Sequence, residues 1–324
     1  MPTAPHHASA PPRPGSDPLP SWRSGPVKER ILAFLERVSG PESPERLPPA
    51  ERIAVLDNDG TLWPEQPLPF QAVFAFDELR RRLPQEPALG DDPMVQAALA
   101  GDLAPLLAGP HFEGLLRVVA LTHAGMDTDG FRAAVENWLA SARHPRFDRP
   151  YDALPYAPML ELLALLRACD FRCFIVSGGG VDFMRVWVER VYGIPPEQVV
   201  GSCGLARYEL HDGVPRLTKT LDTLFVNDGP GKPAGIHQFI GRRPVFCCGN
   251  SDGDLAMLQY TTIANPRPSL GLLLHHTDAV REYAYDSHSD STGRLVEALG
   301  EAPERGWLVV DMARHWSRVF AEAP

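Results

Sequence analysis

The chain has 324 residues, 44% of them apolar, and a formal net charge of -10. That length accommodates one large domain or a domain carrying an insertion, and the acidic balance argues against nucleic-acid binding, which leaves a basic footprint. No apolar run reaches the ~18 residues of a membrane-spanning helix, and five cysteines without a CxxC pair argue against a disulfide framework and for buried, reduced thiols.

Residues 1–22 are rich in Pro and Ala and lack an apolar h-region, so they read as a disordered tail and not a signal peptide, which points to the cytoplasm. Residues 26–40, PVKERILAFLERVSG, place Val27, Ile31, Leu35 and Val38 on one helical face, with Gly40 as a stop. After a Pro-rich linker, RIAVLD at 52–57 reads as a buried strand. From 67 to 150 every pattern is helical: FQAVFAFDELRRRL, DPMVQAALAGDLAPLL, FEGLLRVVALTHAG and DTDGFRAAVENWLASARH. Strand and helix then alternate. MLELLALLRACD predicts a helix, FRCFIVSGGG a strand ending in a glycine turn, and VDFMRVWVERVYG one further helix. QVVGSCGLARYELHDGVPRLTK predicts a hairpin turning at HDG. KPAGIHQFIG and LAMLQYT predict helices, RPVFCCGNSDGD a strand and loop, and TTIANP and SLGLLLHH two short strands.

Alternating strands and helices imply a parallel sheet with crossover helices. The expected fold is a doubly wound α/β core, residues 23–66 and 151–324, with a helical cap, 67–150, inserted after the first strand. Ligands of such sheets bind at the carboxyl ends of the strands. Three predicted strands end there in polar, glycine-containing stretches: DNDGT, SGGG and GNSDGD.

Asp57 and Asp59 emerge from the first strand one residue apart, so both carboxylates can point to the same side. Such a pair stays doubly ionised only with a cation or a shared proton, and Mg2+, a hard ion that takes oxygen ligands, meets that need. Here the residues carry a resemblance. DNDGT, IVSGGG, GKPAGI and GNSDGDL resemble, in order, the four motifs of the haloacid dehalogenase superfamily. With DNDGTLW, THAGM, ARHPRF and GWLVVDM, the chain is similar to a phosphoserine phosphatase-like group within it. The resemblance implies a Rossmann-like core and a Mg2+-dependent phosphatase hydrolysing a small phosphorylated metabolite through an aspartyl-phosphate.

In that scheme Asp57 is the nucleophile and Asp59 the acid and base. Ser177 and the amides of Gly178 and Gly179 hold the phosphoryl oxygens, and Lys232 neutralises their charge. The metal shell is expected from Asp57, Asp59, Asn250 and Asp254. Asn250 stands where the fourth motif usually has Asp, and Asp252 is a possible compensating carboxylate. Asp228 could pair with Lys232 or belong to its loop, and Glu65 or Gln66 could read a substrate amine. His275 and His276, being adjacent, point to opposite sides of a strand and make no ready metal pair. Phosphoryl transfer to a second alcohol and a catalytically silent binding protein are the alternatives, and Asn250 is the feature that favours the silent one. A dehalogenase is disfavoured because it has no alkoxide for Asp59 to protonate.

Overall fold

A computed structural model describes residues 17–109, 112–289 and 292–321. The chain enters through α1 (Pro26–Ser39), which buries Ile31, Phe34, Leu35 and Val38. It continues into β1 (Ile53–Leu56), a strand buried at every position. Ala54 and Leu56 point into one hydrophobic cluster while Ile53 and Val55 point into another on the opposite face. The period-2 alternation of a strand thus feeds two helix layers, so the strand is apolar throughout.

Before α6 and the next strand the chain forms α2 (Phe70–Arg82), α3 (Pro93–Ala100), α4 (Glu113–His123) and α5 (Thr128–Ser141). Asp92 caps α3 by accepting the amides of Met94 and Val95, and α3 ends at Gly101 in the left-handed region. These helices hold a small cluster of their own around Phe76, Leu79, Val95 and Val118. The core resumes with α6 (Ala157–Ala168), β2 (Arg172–Gly180), α7 (Val181–Arg185) and α8 (Val188–Tyr192). The hairpin β3 (Val199–His211) and β4 (Val214–Phe225) follows, then α9 (Gly231–Gly235), β5 (Phe246–Gly249), α10 (Leu255–Thr262) and β6 (Leu270–Thr277). The described chain closes with β7 (Ala284–Tyr285), α11 (Glu297–Arg305), β8 (Leu308–Asp311) and α12 (Met312–His315).

The strands run in the order β4-β3-β2-β1-β5-β6, with β7 and β8 both on β6. All neighbours are parallel except β3 with β4 and β6 with β7. The chain steps from β1 outward to β2 and β3, then returns to β5 on the other side of β1. That reversal opens a crevice at the carboxyl ends of β1, β2 and β5. The hairpin turns at Asp212-Gly213, both with positive φ (51° and 79°), as a two-residue primed turn requires. Its β4 strand pairs with the segment between α4 and α5 through Gly125 N to Lys219 O and Lys219 N to Met126 O, 2.9 Å each.

Three expectations are corrected. The disordered tail does not extend to residue 22: Leu19 is fully buried, Trp22 is 3% exposed and donates its indole N–H to Pro158 O, and residues 1–16 lie outside the described ones. TTIANP is no strand. Its threonines finish α10, and Asn265 and Arg243 take the next carbonyls through side-chain bonds to Thr261 O, Tyr260 O and Ala264 O. The helix expected over 181–193 breaks at Trp187 (φ -131°, ψ -20°), whose buried ring stacks on Trp63 at 3.9 Å. Packing overrides helix continuity there. The sequence reading also assigned no strand to LVVD, which forms β8.

Candidate active site

The crevice is organised by one ammonium. Lys232, 2% exposed, donates to Asp57 Oδ1 at 2.6 Å, Asp254 Oδ1 at 2.6 Å and Val176 O at 3.1 Å. All three of its protons are thereby used, and β1, β2 and the loop after β5 are tied together. Burial works against this cation, but Asp254 and Asp57 hold its pKa above the ordinary lysine value. Burial likewise pushes the Asp57 carboxyl up, and Lys232 pulls it back.

Asp254 is fully buried, and its second oxygen accepts the amides of Asn250 (2.9 Å) and Ser251 (3.1 Å). Through these bonds Asp254 orients Lys232 and closes the loop. Asn250 accepts Thr61 Oγ1 at 3.0 Å and donates from Nδ2 to Glu65 Oε1 at 2.6 Å. Thr61 Oγ1 also lies 3.4 Å from Asp57 Oδ2, so oxygens of Asp57 and Asn250 converge on one hydroxyl. Gly60, at φ +75°, makes this possible, because a Cβ there would sit 2.2 Å from Asn250 Nδ2 and 2.3 Å from Glu65 Oε1.

Asp59 accepts the Trp63 indole N–H at 2.7 Å, and burial raises its carboxyl while that bond lowers it. Ser177, 1% exposed, accepts Gly179 N at 3.1 Å, and Gly180 N donates to Gln71 Oε1 of α2 at 2.6 Å. Asn227, fully buried, donates to Ser177 O at 2.9 Å and pins this loop from below. Asp57, Asp59, Ser177, Gly178, Gly179 and Lys232 therefore line one cavity of about 690 Å³.

The remaining expectations sort differently. Asp252 does not stand beside Asn250 as a substitute ligand: its carboxylate accepts the amides of Val296 and Ala298 at 3.0 Å at the start of α11. Asp228 lines the cavity but makes no ion pair with Lys232, whose partners are Asp57 and Asp254. His276 is buried and bonds Gly60 O at 2.7 Å and Glu282 at 3.1 Å, while His275 is half-buried beside Asp286. Gln66 donates to Thr292 O at 2.9 Å. Glu65, 4% exposed, accepts from Asn250 and from Tyr285 Oη (2.9 Å), and burial pushes it up to about 8. Sequence reasoning missed Gln71, Asn227, His123, Asp182 and Lys219, all at the cavity or its support. Only His123 had a signal, the periodic apolar face of its own helix.

Among the described residues no three His, Cys, Asp or Glu side chains form a metal cluster by themselves. The donors that converge here are instead mixed oxygens, Asp57 Oδ2 and Asn250 Oδ1, with Asp59 lining the same cavity. Asp57 and Asp254 share the one ammonium of Lys232, and Asp59 beside them has the Trp63 indole as its partner and no ion pair among the described residues, so the site lacks positive charge. Oxygen donors and a charge deficit both fit Mg2+.

A mostly parallel α/β sheet with an Asp-x-Asp pair at its central strand and a buried lysine bridging to the loop after β5 defines the class as a hydrolase. Residues 54–259 match the sequence model of the haloacid dehalogenase-like hydrolases, and the chain belongs to that family. No curated protein matches it. Among solved structures, a conserved functionally unknown protein from Anaerococcus prevotii aligns at TM-score 0.52 and 16% identity, over 78% of this chain and 86% of that one. A protein with unknown function from Bordetella pertussis aligns at 0.49 and 16%, over 81% and 99%. A phosphoserine phosphohydrolase-like protein from Francisella tularensis aligns at 0.41 and 14%, over 78% and 98%.

Proposed function

We propose that the protein is a Mg2+-dependent phosphatase that hydrolyses a small-molecule phosphomonoester through an aspartyl-phosphate on Asp57. The observation that carries this reading is the Lys232 bridge between Asp57 and Asp254 beneath Ser177 and the glycine loop. It supplies a fixed carboxylate nucleophile and a cation for the phosphoryl group in one buried place.

Asp57 attacks phosphorus, the bond from phosphorus to the ester oxygen breaks, and the leaving alkoxide takes a proton from Asp59. The raised Asp59 carboxyl suits a group that must begin as an acid. Asp59 then takes a proton from water as that water attacks the aspartyl-phosphate, which releases phosphate and restores Asp57. Ser177 Oγ and the loop amides hold the phosphoryl oxygens throughout. Mg2+ would be held by oxygens of Asp57, Asp59 and Asn250 with Asp254 beside them, and would supply the charge that lets a carboxylate approach a phosphate dianion. Five unpaired cysteines support a reducing, cytoplasmic setting, and no helix among the described residues is long and apolar enough to cross a membrane.

The test is hydrolysis of p-nitrophenyl phosphate with Mg2+ and with EDTA, and in Asp57→Asn. Activity is expected only with the metal and the native aspartate. In Asp59→Asn the single-turnover rate should fall about 10²- to 10⁴-fold for an alkyl phosphate and far less for the aryl one, whose leaving group needs no proton. Equal losses for both esters would remove Asp59 from the acid role.

A further inference from the structure

The cavity above Asp57 has two unlike ends. Its floor carries the carboxylates and Lys232, while its roof is α4, which turns Leu115, Leu116, Val119 and Ala120 toward it. Those positions form one helical stripe. They are half-buried, and Leu116 and Ala120 stand outside all three hydrophobic clusters of the fold. An apolar stripe facing a catalytic floor instead of a core has a partner to find. Phe131 and Phe183, each 2% exposed, extend the apolar surface along the walls.

The charges around this upper chamber set a second condition. Lys219 is 9% exposed, ion-paired to Asp182, and 4.8 Å from the Phe131 ring centre. Asp182 and Asp222 line this chamber as well, so Lys219 is already paired there, and a leaving group with a second phosphate or a carboxylate would have to compete with the Asp182 carboxylate for it. His123, 7% exposed, lines the same chamber; its Nε2 has no hydrogen-bond partner, and burial keeps the ring neutral. A cavity of about 690 Å³ leaves room beyond a phosphoryl group for a ring-sized body.

Resting on the phosphatase reading, we propose that the alcohol released is an uncharged molecule with a bulky apolar body, aromatic or branched hydrocarbon. That body sits beneath α4 against Leu116, Val119 and Phe131. Sugar phosphates and phosphoamino acids, whose hydroxyls and charges would lose water against this roof without compensation, are disfavoured.

The experiment measures kcat/KM with Mg2+ for 2-phenylethyl phosphate, glycerol 3-phosphate and phosphoserine, three alkyl esters, beside p-nitrophenyl phosphate. The apolar ester is expected to exceed the other two by about 100-fold, the scale set by burying one large apolar group. In Leu116→Ser, a change on a half-buried face, the ratio of the apolar to the glycerol ester should fall about tenfold. Val119→Ser provides the same readout on the next turn. Comparable rates on the three alkyl esters, or a ratio unmoved in both variants, would overturn the apolar leaving group while leaving the phosphatase reading standing. Hydrolysis of none of the four esters would overturn both.

Discussion

Asn250 is the residue on which the site departs from an all-carboxylate pattern, and its amide has a carboxyl partner. Glu65 Oε1 accepts Asn250 Nδ2 at 2.6 Å, so a side chain from the segment after β1 meets the fourth-motif position. Sequence reasoning looked for compensation at Asp252, next door in the chain, because adjacency in space 185 residues away has no local signature. Asn250→Asp would set two buried carboxylates in contact. It should destabilise the metal-free protein by about 1–3 kcal/mol and enlarge the rise in melting temperature on adding Mg2+. Thermal unfolding in EDTA and in Mg2+ checks both, and an unchanged metal-free protein would separate Glu65 from this role. His123 gives a pH prediction. Burial, then the charges of Lys219 and Arg82, lower its pKa from 6.5 to about 3. The unfolded chain therefore takes up a proton as pH falls through 6.5 while the folded chain does not until near 3. The stability this neutral ring contributes is full above 6.5 and is lost progressively below it. Relative to His123→Gln, the native protein should lose about 2 kcal/mol between pH 7 and pH 5, measured by urea unfolding at each pH.

At the scale of elements, the strands and helices with long, regular apolar patterns were legible: α1, α2, α5, α6, β1, β2 and β6. What escaped was decided by contacts between distant segments. Trp22 packs edge-on against Trp316 at 5.9 Å and bonds Pro158 O at 2.9 Å, so residues 17–22, with Leu19 and Trp22 as their apolar side chains and no periodicity, are part of the core. Likewise the break between α7 and α8 follows from Trp187 meeting Trp63, a match that no window over 181–193 contains. Of the site, the motif residues were legible because their spacing within each strand end is local. The chamber above them was not, because it is assembled from α4, α5, α7 and β4. Trp22→Ala should cost about 3–5 kcal/mol, the range for deleting a buried Trp side chain, read as a lower midpoint in guanidinium unfolding. A change below about 0.5 kcal/mol, the range of exposed sites, would show that the segment only rests on the surface.

The molecule as a whole joins a sheet with Asp57 and Asp59 at its central strand to the helices between β1 and α6 that cover them, and the joint is both apolar, through Phe70, Phe74, Phe131 and Leu139 in the main core cluster, and polar. Gln71, at the start of α2, accepts the amide of Gly180 at 2.6 Å, so the first inserted helix holds the far end of the phosphoryl loop. From the other side, Asn227 holds Ser177 O and Ser202 Oγ donates to Gly178 O at 2.7 Å. The loop is thus fixed from below by the sheet and from above by the insertion. Gln71→Ala removes only the upper hold. The fold should survive, since the side chain is half-buried and outside the hydrophobic clusters, with a loss of about 1 kcal/mol for one hydrogen bond. The phosphoryl site should loosen instead: inorganic phosphate should inhibit about tenfold more weakly, and kcat/KM for p-nitrophenyl phosphate should fall by a similar factor, as expected when a positioned donor drifts. Gln71→Glu sharpens the test. It retains an oxygen that can accept the Gly180 amide but brings a negative charge near the phosphate, so it should weaken phosphate inhibition further without loosening the loop. Amide hydrogen exchange at residues 177–180 separates the two variants, with faster exchange expected in Gln71→Ala and native rates in Gln71→Glu. Native exchange and native phosphate inhibition in Gln71→Ala would mean that the sheet alone positions the loop and that the insertion covers the site without shaping it.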